Sequence, residues 1–437
     1  MATKDATDTE QTSQQGDTTP SDMPLASHPN TDDTEPASEV NTANPADTTP
    51  ASTPPHQERT LANNSQHAQQ PRAGHSLTRT SAADSHSRNS SATPTPQPLT
   101  TPATDEEKAK KLAESLKTTH NNNTAYFINH SDQHRVALWT KGITAPTLGK
   151  TGELIHKEEV AAGQRYVDDY LPFNTQTSTM GWYDADKSPH STIADINLCF
   201  AAVAANQLHW WMAQNTHHIT QYLTKTNYGA NLSNSLVGGL KDVRTYRDSF
   251  KNQQDSAFFT MFKAYFGNNR EGYQVDPLID LFVNGYTPKP NGGANQAHWP
   301  PEFTKDTRGG FFHEVFGRKL LTDRLTTRQF DYFANQLKLA LQNGKSVGVI
   351  YAKGGGYSHV ITAWGAEFDP NGKLTALYVT DSDDQTQSYN GLRRISIKNI
   401  DGQAALSNNI DNPRHGSKID SISTLSLGDA HWAAFLK

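Results

Sequence analysis

Aromatic residues are missing from the first quarter of this chain: all 17 Phe, 15 Tyr and 7 Trp among its 437 residues lie at or beyond Tyr126. Without those large side chains a segment has little to bury, and burial is what offsets the entropy of ordering a backbone. The same stretch is dominated by Thr, Ser, Pro, Asp, Asn, Gln and Ala, as in Asp47-Thr48-Thr49-Pro50-Ala51-Ser52-Thr53-Pro54-Pro55. Residues 1–120 are therefore expected to be a disordered Thr/Ser/Pro-rich tether. One short helix is expected within it over 104–118, where Thr104-x-x-Glu107 forms a capping box and Ala109, Leu112, Ala113 and Leu116 recur at helical spacing. A folded domain is expected over 126–437, after the run Asn121-Asn122-Asn123.

Other absences narrow the function. No apolar stretch of about 18 residues is present, so no membrane-spanning segment is expected. The first residues, Met1-Ala2-Thr3-Lys4-Asp5, lack the apolar centre of a signal peptide, although a leader can be removed from a mature chain. The net charge is −6, and no run of Lys and Arg interleaved with aromatics occurs, which argues against nucleic acid as a partner. A single cysteine, Cys199, excludes an internal disulfide framework and a cysteine-rich zinc site.

Beyond Tyr126 helical and strand patterns mix. From Cys199 to about Thr224 a stripe of Phe200, Val203, Ala204, Gln207, Leu208 and Trp211 predicts one long helix. Further helices are expected around 256–266, 276–282 and 328–342, the last ended by Gly344. A buried strand is expected over Ser346–Tyr351. A hairpin follows, with arms Ser358–Phe368 and Leu374–Asp381 around the turn Asp369-Pro370-Asn371-Gly372.

Two places in this pattern carry chemistry. Cys199 stands where irregular sequence gives way to the helix, so it falls in the first turn, where unpaired N–H groups and the helix dipole favour a thiolate. The bland alternative is a small buried hydrophobe. His359 follows Gly354-Gly355-Gly356-Tyr357-Ser358 and opens the first hairpin arm. If Asp369 pairs with Lys373, paired positions sum to 742, which puts His359 opposite position 383 and near Asp381, Asp383 and Asp384. A carboxylate there would fix the imidazole tautomer and support its charged form. Alone, the Asp381-Ser382-Asp383-Asp384 cluster also fits a solvated loop or a weak calcium site. A cysteine at a helix start, a histidine 160 residues later (359 − 199) and a carboxylate after it follow the order of papain-like enzymes.

At these residues the sequence resembles the immunoglobulin-degrading cysteine proteases of streptococci, the IdeS/Mac-like family. The matching text includes Leu138-Trp139-Thr140-Lys141-Gly142, Gly181-Trp182-Tyr183-Asp184, Cys199 with Ala201-Ala202 on to Leu208-His209-Trp210-Trp211, and Phe282-Val283-Asn284-Gly285-Tyr286. It continues through Arg308-Gly309-Gly310 with Phe312, His359-Val360-Ile361 with Trp364-Gly365-Ala366, and Tyr378-Val379-Thr380-Asp381-Ser382-Asp383. The resemblance implies an α+β papain-like fold, with a buried Cys-bearing helix packed on an antiparallel sheet that carries His and Asp. It also implies a secreted or cell-surface endopeptidase that cuts host immunoglobulin heavy chains at or near the hinge, without a cofactor, in the service of immune evasion.

By the same resemblance Cys199 is the nucleophile, His359 the base, Asp381 and Asp383 its supports, and Lys187 a contributor to the oxyanion hole. Two departures stand out: Phe200 replaces the family's glycine after the cysteine, and Lys187 precedes Cys199 by 12 residues (199 − 187), two more than the family's spacing. The immunoglobulin class does not carry over. An acyl transferase, a protease of another host protein and a non-catalytic immunoglobulin-binding decoy are the rival readings; a decoy has no need to keep all these residues.

Overall fold

The structure is a computed structural model that describes residues 102–173, 180–188, 195–226, 231–234, 239–243, 246, 250–265, 275–284, 310–317, 319–354 and 356–437. The chain divides into the units Met1–Pro94 and Thr95–Lys437, and every described residue belongs to the second. The tether read over 1–120 lies outside the described residues as far as residue 101.

Fifteen strands are described. They are β1 (Thr124–Ile128), β2 (His134–Trp139), β3 (Ile155–Ala161), β4 (Gln164–Pro172), β5 (Asn231–Asn234), β6 (Gly239–Asp242), β7 (Phe250–Asn252), β8 (Asp255–Ser256), β9 (Thr322–Thr326), β10 (Ser346–Gly354), β11 (Tyr357–Phe368), β12 (Leu374–Thr380), β13 (Gly391–Ile400), β14 (Gln403–Ser407) and β15 (Ser417–Leu425). From β10 to β15 each strand pairs antiparallel with the next, and β15 returns to pair with β10, closing a six-stranded barrel. Closure leaves these strands without a free edge. β2 and β4 extend the sheet from β11 and β13, and β9 pairs with β15.

The β11–β12 hairpin folds as its turn chemistry dictates. Asp369 N–H donates to Lys373 O at 2.9 Å, its carboxylate takes the Asn371 and Lys373 N–H groups, and Gly372 adopts φ +82°. Pairing starts at Phe368↔Leu374, shifts by one residue for Gly365↔Tyr378, and shifts back for Thr362↔Thr380. The two shifts cancel. β11 is buried from His359 to Phe368, with no exposed face along that run, because helices cover one side and the barrel interior the other.

The described helices are α1 (Asp105–Leu116), α2 (Cys199–Gln214), α3 (Thr216–Thr226), α4 (Ala257–Tyr265), α5 (Val275–Asn284), α6 (His313–Phe316), α7 (Phe330–Gln342) and α8 (Asp429–Leu436). Among the described residues none is long and apolar enough to cross a membrane. α1 carries the capping box read at Thr104 and buries Ala109, Ala113 and Leu116. Just after it, Asn121 Nδ2 donates to Trp139 O and Leu341 O, both at 2.7 Å, which ties the Asn run to β2 and α7.

Two features of the Cys199 helix differ from the sequence reading. It is not amphipathic: every residue from Phe200 to Met212 is buried, on all faces, as expected of a helix at the centre of a core. Nor is it continuous to Thr224. It ends at Gln214, and α3 begins at Thr216 after Asn215, whose side-chain amide donates to Trp211 O at 3.1 Å and Leu427 O at 3.2 Å. The Asn215 amide thus ties the end of the helix to the Leu427 backbone, and the chain breaks there before α3 starts. α2 lies against β10 and β11, and Gly348 permits the approach: a Cβ there would sit 2.7 Å from Ser423 Oγ and 3.1 Å from Val203 Cγ1.

Candidate active site

Cys199 is the first residue of α2, preceded by Leu198, which gives no side-chain cap. Its backbone N–H therefore has no partner within the helix, and the positive end of the dipole faces the thiol. Cys199 as a residue is partly exposed rather than sealed in the core, the condition for a reactive cysteine.

His359 sits on β11 opposite Tyr351 of β10, whose ring meets the imidazole edge-on at 5.5 Å between centroids. The imidazole is 3% exposed. Its Nε2 lies 2.6 Å from Asp381 Oδ1, and its Nδ1 lies 3.7 Å from Asp383 Oδ2. With Nε2 taken by Asp381, Nδ1 is the nitrogen left for the hydrogen bond between His359 and the Cys199 thiol.

The electrostatics favour charge separation. Burial alone would push the imidazole pKa down, but the charge and hydrogen bond of Asp381, joined by the Cys199 sulfur, raise it to about 10. Burial alone would push the Cys199 thiol up, but the hydrogen bond and charge of His359, then Lys187 and the Val360 N–H, bring it below the ordinary thiol value. The two shifts run in opposite directions, each toward the charged form, which is the direction that favours proton transfer from Cys199 to His359.

Asp381, expected as the last residue of a strand arm, sits with Asp383 on the turn that follows the strand. β12 ends at Thr380; Asp384 N–H then donates to Asp381 O at 3.2 Å, and Asp383 N–H to Asp381 Oδ1 at 3.1 Å. The turn sets the two carboxylates against different nitrogens of one ring. Strand alternation on its own would have put them side by side on one face. Asp383 also pairs with Lys187 and Lys353. Burial would raise its pKa, yet His359 and the two lysines hold it at about 2.

Lys187 is buried and donates from Nζ to Ile196 O at 2.7 Å while pairing with Asp383. An ammonium has three N–H donors, so one remains. Its backbone N–H donates to Ser382 O at 3.1 Å, which joins the Lys187 segment to the aspartate turn. All five residues singled out from the sequence thus lie in one contiguous cluster.

Several members escaped the sequence reading. Asn206, about two turns into α2, accepts from Ala185 N–H at 2.8 Å and donates to Thr362 Oγ1 at 3.1 Å, so it locks helix, Lys187 segment and β11 together. Behind the turn lie Asp184, Asp186 and Asp384, all buried. Burial, then the charges of Asp381 and Asp383, raise Asp186 to about 8, and burial with the charges of Asp186 and other neighbouring aspartates pushes Asp184 and Asp384 well above the carboxylate range. The alternation Asp184-Ala185-Asp186-Lys187 was the available signal, but nothing local placed Asp384 beside it.

The family described as Mac 1 matches residues 81–432. A relative from Streptococcus suis named "IgM protease" is 36% identical over 316 residues, which is 72% of this chain. The match covers 26% of that relative, so the chain spans about a quarter of the length of the protein it resembles. A family match over most of the described fold, with Cys199, His359 and the aspartate turn inside it, means that this chain belongs to the Mac 1 family, the IdeS/Mac-like group.

Proposed function

We propose that the chain is a secreted or surface-exposed cysteine endopeptidase of papain-like architecture that cleaves immunoglobulin heavy chains at or near the hinge. The observation that carries the reading is the Cys199–His359–Asp381 chain: a thiol of lowered pKa at a helix start, bonded to an imidazole whose far nitrogen is 2.6 Å from a carboxylate. The Cys199 thiolate attacks the scissile carbonyl, and the backbone N–H of Cys199 with the third N–H of Lys187 stabilises the oxyanion. His359, protonated at the start, gives its proton to the leaving amine. Water then resolves the acyl-enzyme, with His359 as base.

Asp381 fixes the imidazole in this cycle. Asp383 holds Lys187 in place and adds to the field that keeps His359 charged. The name of the Streptococcus suis relative makes IgM the first substrate to examine. Purified IgM, IgG, IgA and IgE are each incubated with the protein and with Cys199→Ala. New heavy-chain fragments in at least one, absent with the variant, are expected; intact heavy chains in all four refute the reading.

A further inference from the structure

Behind the His359 face, three aspartates bring together more negative charge than the fold compensates. One carboxylate oxygen from each of Asp184, Asp186 and Asp384 lies within 4.8 Å of the others, and the residues are 0%, 1% and 3% exposed. Gln253 Nε2 reaches one oxygen of Asp184 at 2.8 Å, and Asn390 Nδ2 reaches one of Asp186 at 3.3 Å. Among the described residues, the other oxygen of Asp184, the other of Asp186 and both of Asp384 are buried without a partner at hydrogen-bond geometry, and the Gly391 N–H is the one backbone donor whose influence reaches Asp384.

One orphaned oxygen is a local packing fault. Four of them on side chains converging on one point form a ligand set, because each buried, unpaired carboxylate would otherwise cost several kcal/mol.

The charge count agrees. Asp381 and Asp383 adjoin the trio; were all five carboxylates ionised, the cations facing them among the described residues, Lys187, Lys353 and the protonated His359, would leave two negative charges over. Arg393, the next cation, is spent on Asp168. We propose that Asp184, Asp186 and Asp384 bind one hard divalent cation of the calcium class, which clamps the 381–391 turn to the Asp184–Lys187 segment.

Oxygen-only donors exclude the metals that prefer imidazole or thiolate. A buried, carboxylate-rich set suits calcium better than magnesium, which sheds its waters reluctantly. The clamp would set the distance between Lys187 and the aspartates beside His359. The three ligands come from two segments about 200 residues apart, so the site forms only in the folded protein and its binding energy is folding energy.

The test uses the full chain, dialysed against EDTA and then against calcium chloride, magnesium chloride or EDTA near neutral pH. Metal content is read by mass spectrometry and Tm by scanning calorimetry. About one equivalent of calcium and a Tm about 3 °C or more above the EDTA sample are expected at about 1 mM calcium. Both effects should vanish in Asp384→Asn and in Asp186→Asn. No bound equivalent and no Tm change in the wild type overturn the proposal and leave the trio sharing protons; a response to magnesium alone overturns the calcium assignment. If neither variant folds, the wild-type stoichiometry decides. No immunoglobulin is present in these measurements, so their failure is separate from failure of the protease reading.

Discussion

The two ends of the β11–β12 hairpin both bury acids, by opposite means. At the turn end, Glu367 is fully buried, yet its carboxylate takes two bonds from Arg394 at 2.7 Å, with Arg135, Thr375 and Tyr378 around it. Burial would raise its pKa, and the Arg394 charge and hydrogen bonds bring it below the ordinary value instead. At the open end, Asp381 and Asp383 share His359, and the trio behind them has unpaired oxygens. Where every charge is matched the group is structural. Where acids outnumber cations, the carboxylate beside the ring holds His359 protonated, and that imidazolium with Lys187 in turn favours the Cys199 thiolate.

The variant with the largest expected effect breaks the open end outright. Cys199→Ala should lower immunoglobulin cleavage by at least about 1,000-fold, because no other thiol exists to attack. Full activity in that variant would remove the mechanism. Next comes Asp381→Ala, for which kcat should fall by roughly 100-fold with little change in KM, since orientation of the imidazole matters mainly as the transition state forms. Asp383→Ala should cost less, about 10-fold, through Lys187. Near-normal turnover in Asp381→Ala beside an inactive Asp383→Ala reverses the two roles.

The turn end should respond in the opposite currency. Arg394→Met strands a buried Glu367 and should destabilise the fold by about 3–5 kcal/mol in a urea titration, whereas Glu367→Gln with Arg394→Met should recover much of that loss. An Asp381→Ala variant that loses as much stability as Arg394→Met would erase the distinction between the two ends. The smallest effect is expected from removing residues 1–94: cleavage of soluble immunoglobulin should stay within about twofold, because that stretch has no aromatic residue with which to build a site. Lost hydrolysis would make it part of the substrate clamp.

The hairpin was legible because Asp369-Pro370-Asn371-Gly372 fixes both turn and register, and register carries a histidine to its carboxylates. The one-residue shifts at Gly365 and between Glu367 and Phe368 left no trace in the sequence. The first coincides with close packing: Gly365 lies on Trp139, where a Cβ would sit 2.8 Å from the indole. Cys199 at a helix start was legible from the change of pattern, but the break at Asn215 was not, since it depends on Leu427, over 200 residues away. The buried aspartate trio was hidden for the same reason. Two of its members, Asp184 and Asp186, are joined through Gln253 and Asn390, which no local rule brings together.

The account rests on a Cys199 thiolate beside a His359 imidazolium, and the rate of alkylation by iodoacetamide against pH reads that pair directly. The thiol is expected to react well below the pH at which an ordinary cysteine ionises, near 8.5, because its pKa is lowered. Reactivity should fall only on the acid side as the thiolate takes a proton. Loss of the imidazolium at about pH 10 should appear separately, as the alkaline limb of cleavage. A rate that stays low at slightly acidic pH and rises only through about 8.5, as for a free thiol, would contradict the ion pair and with it the proposed mechanism.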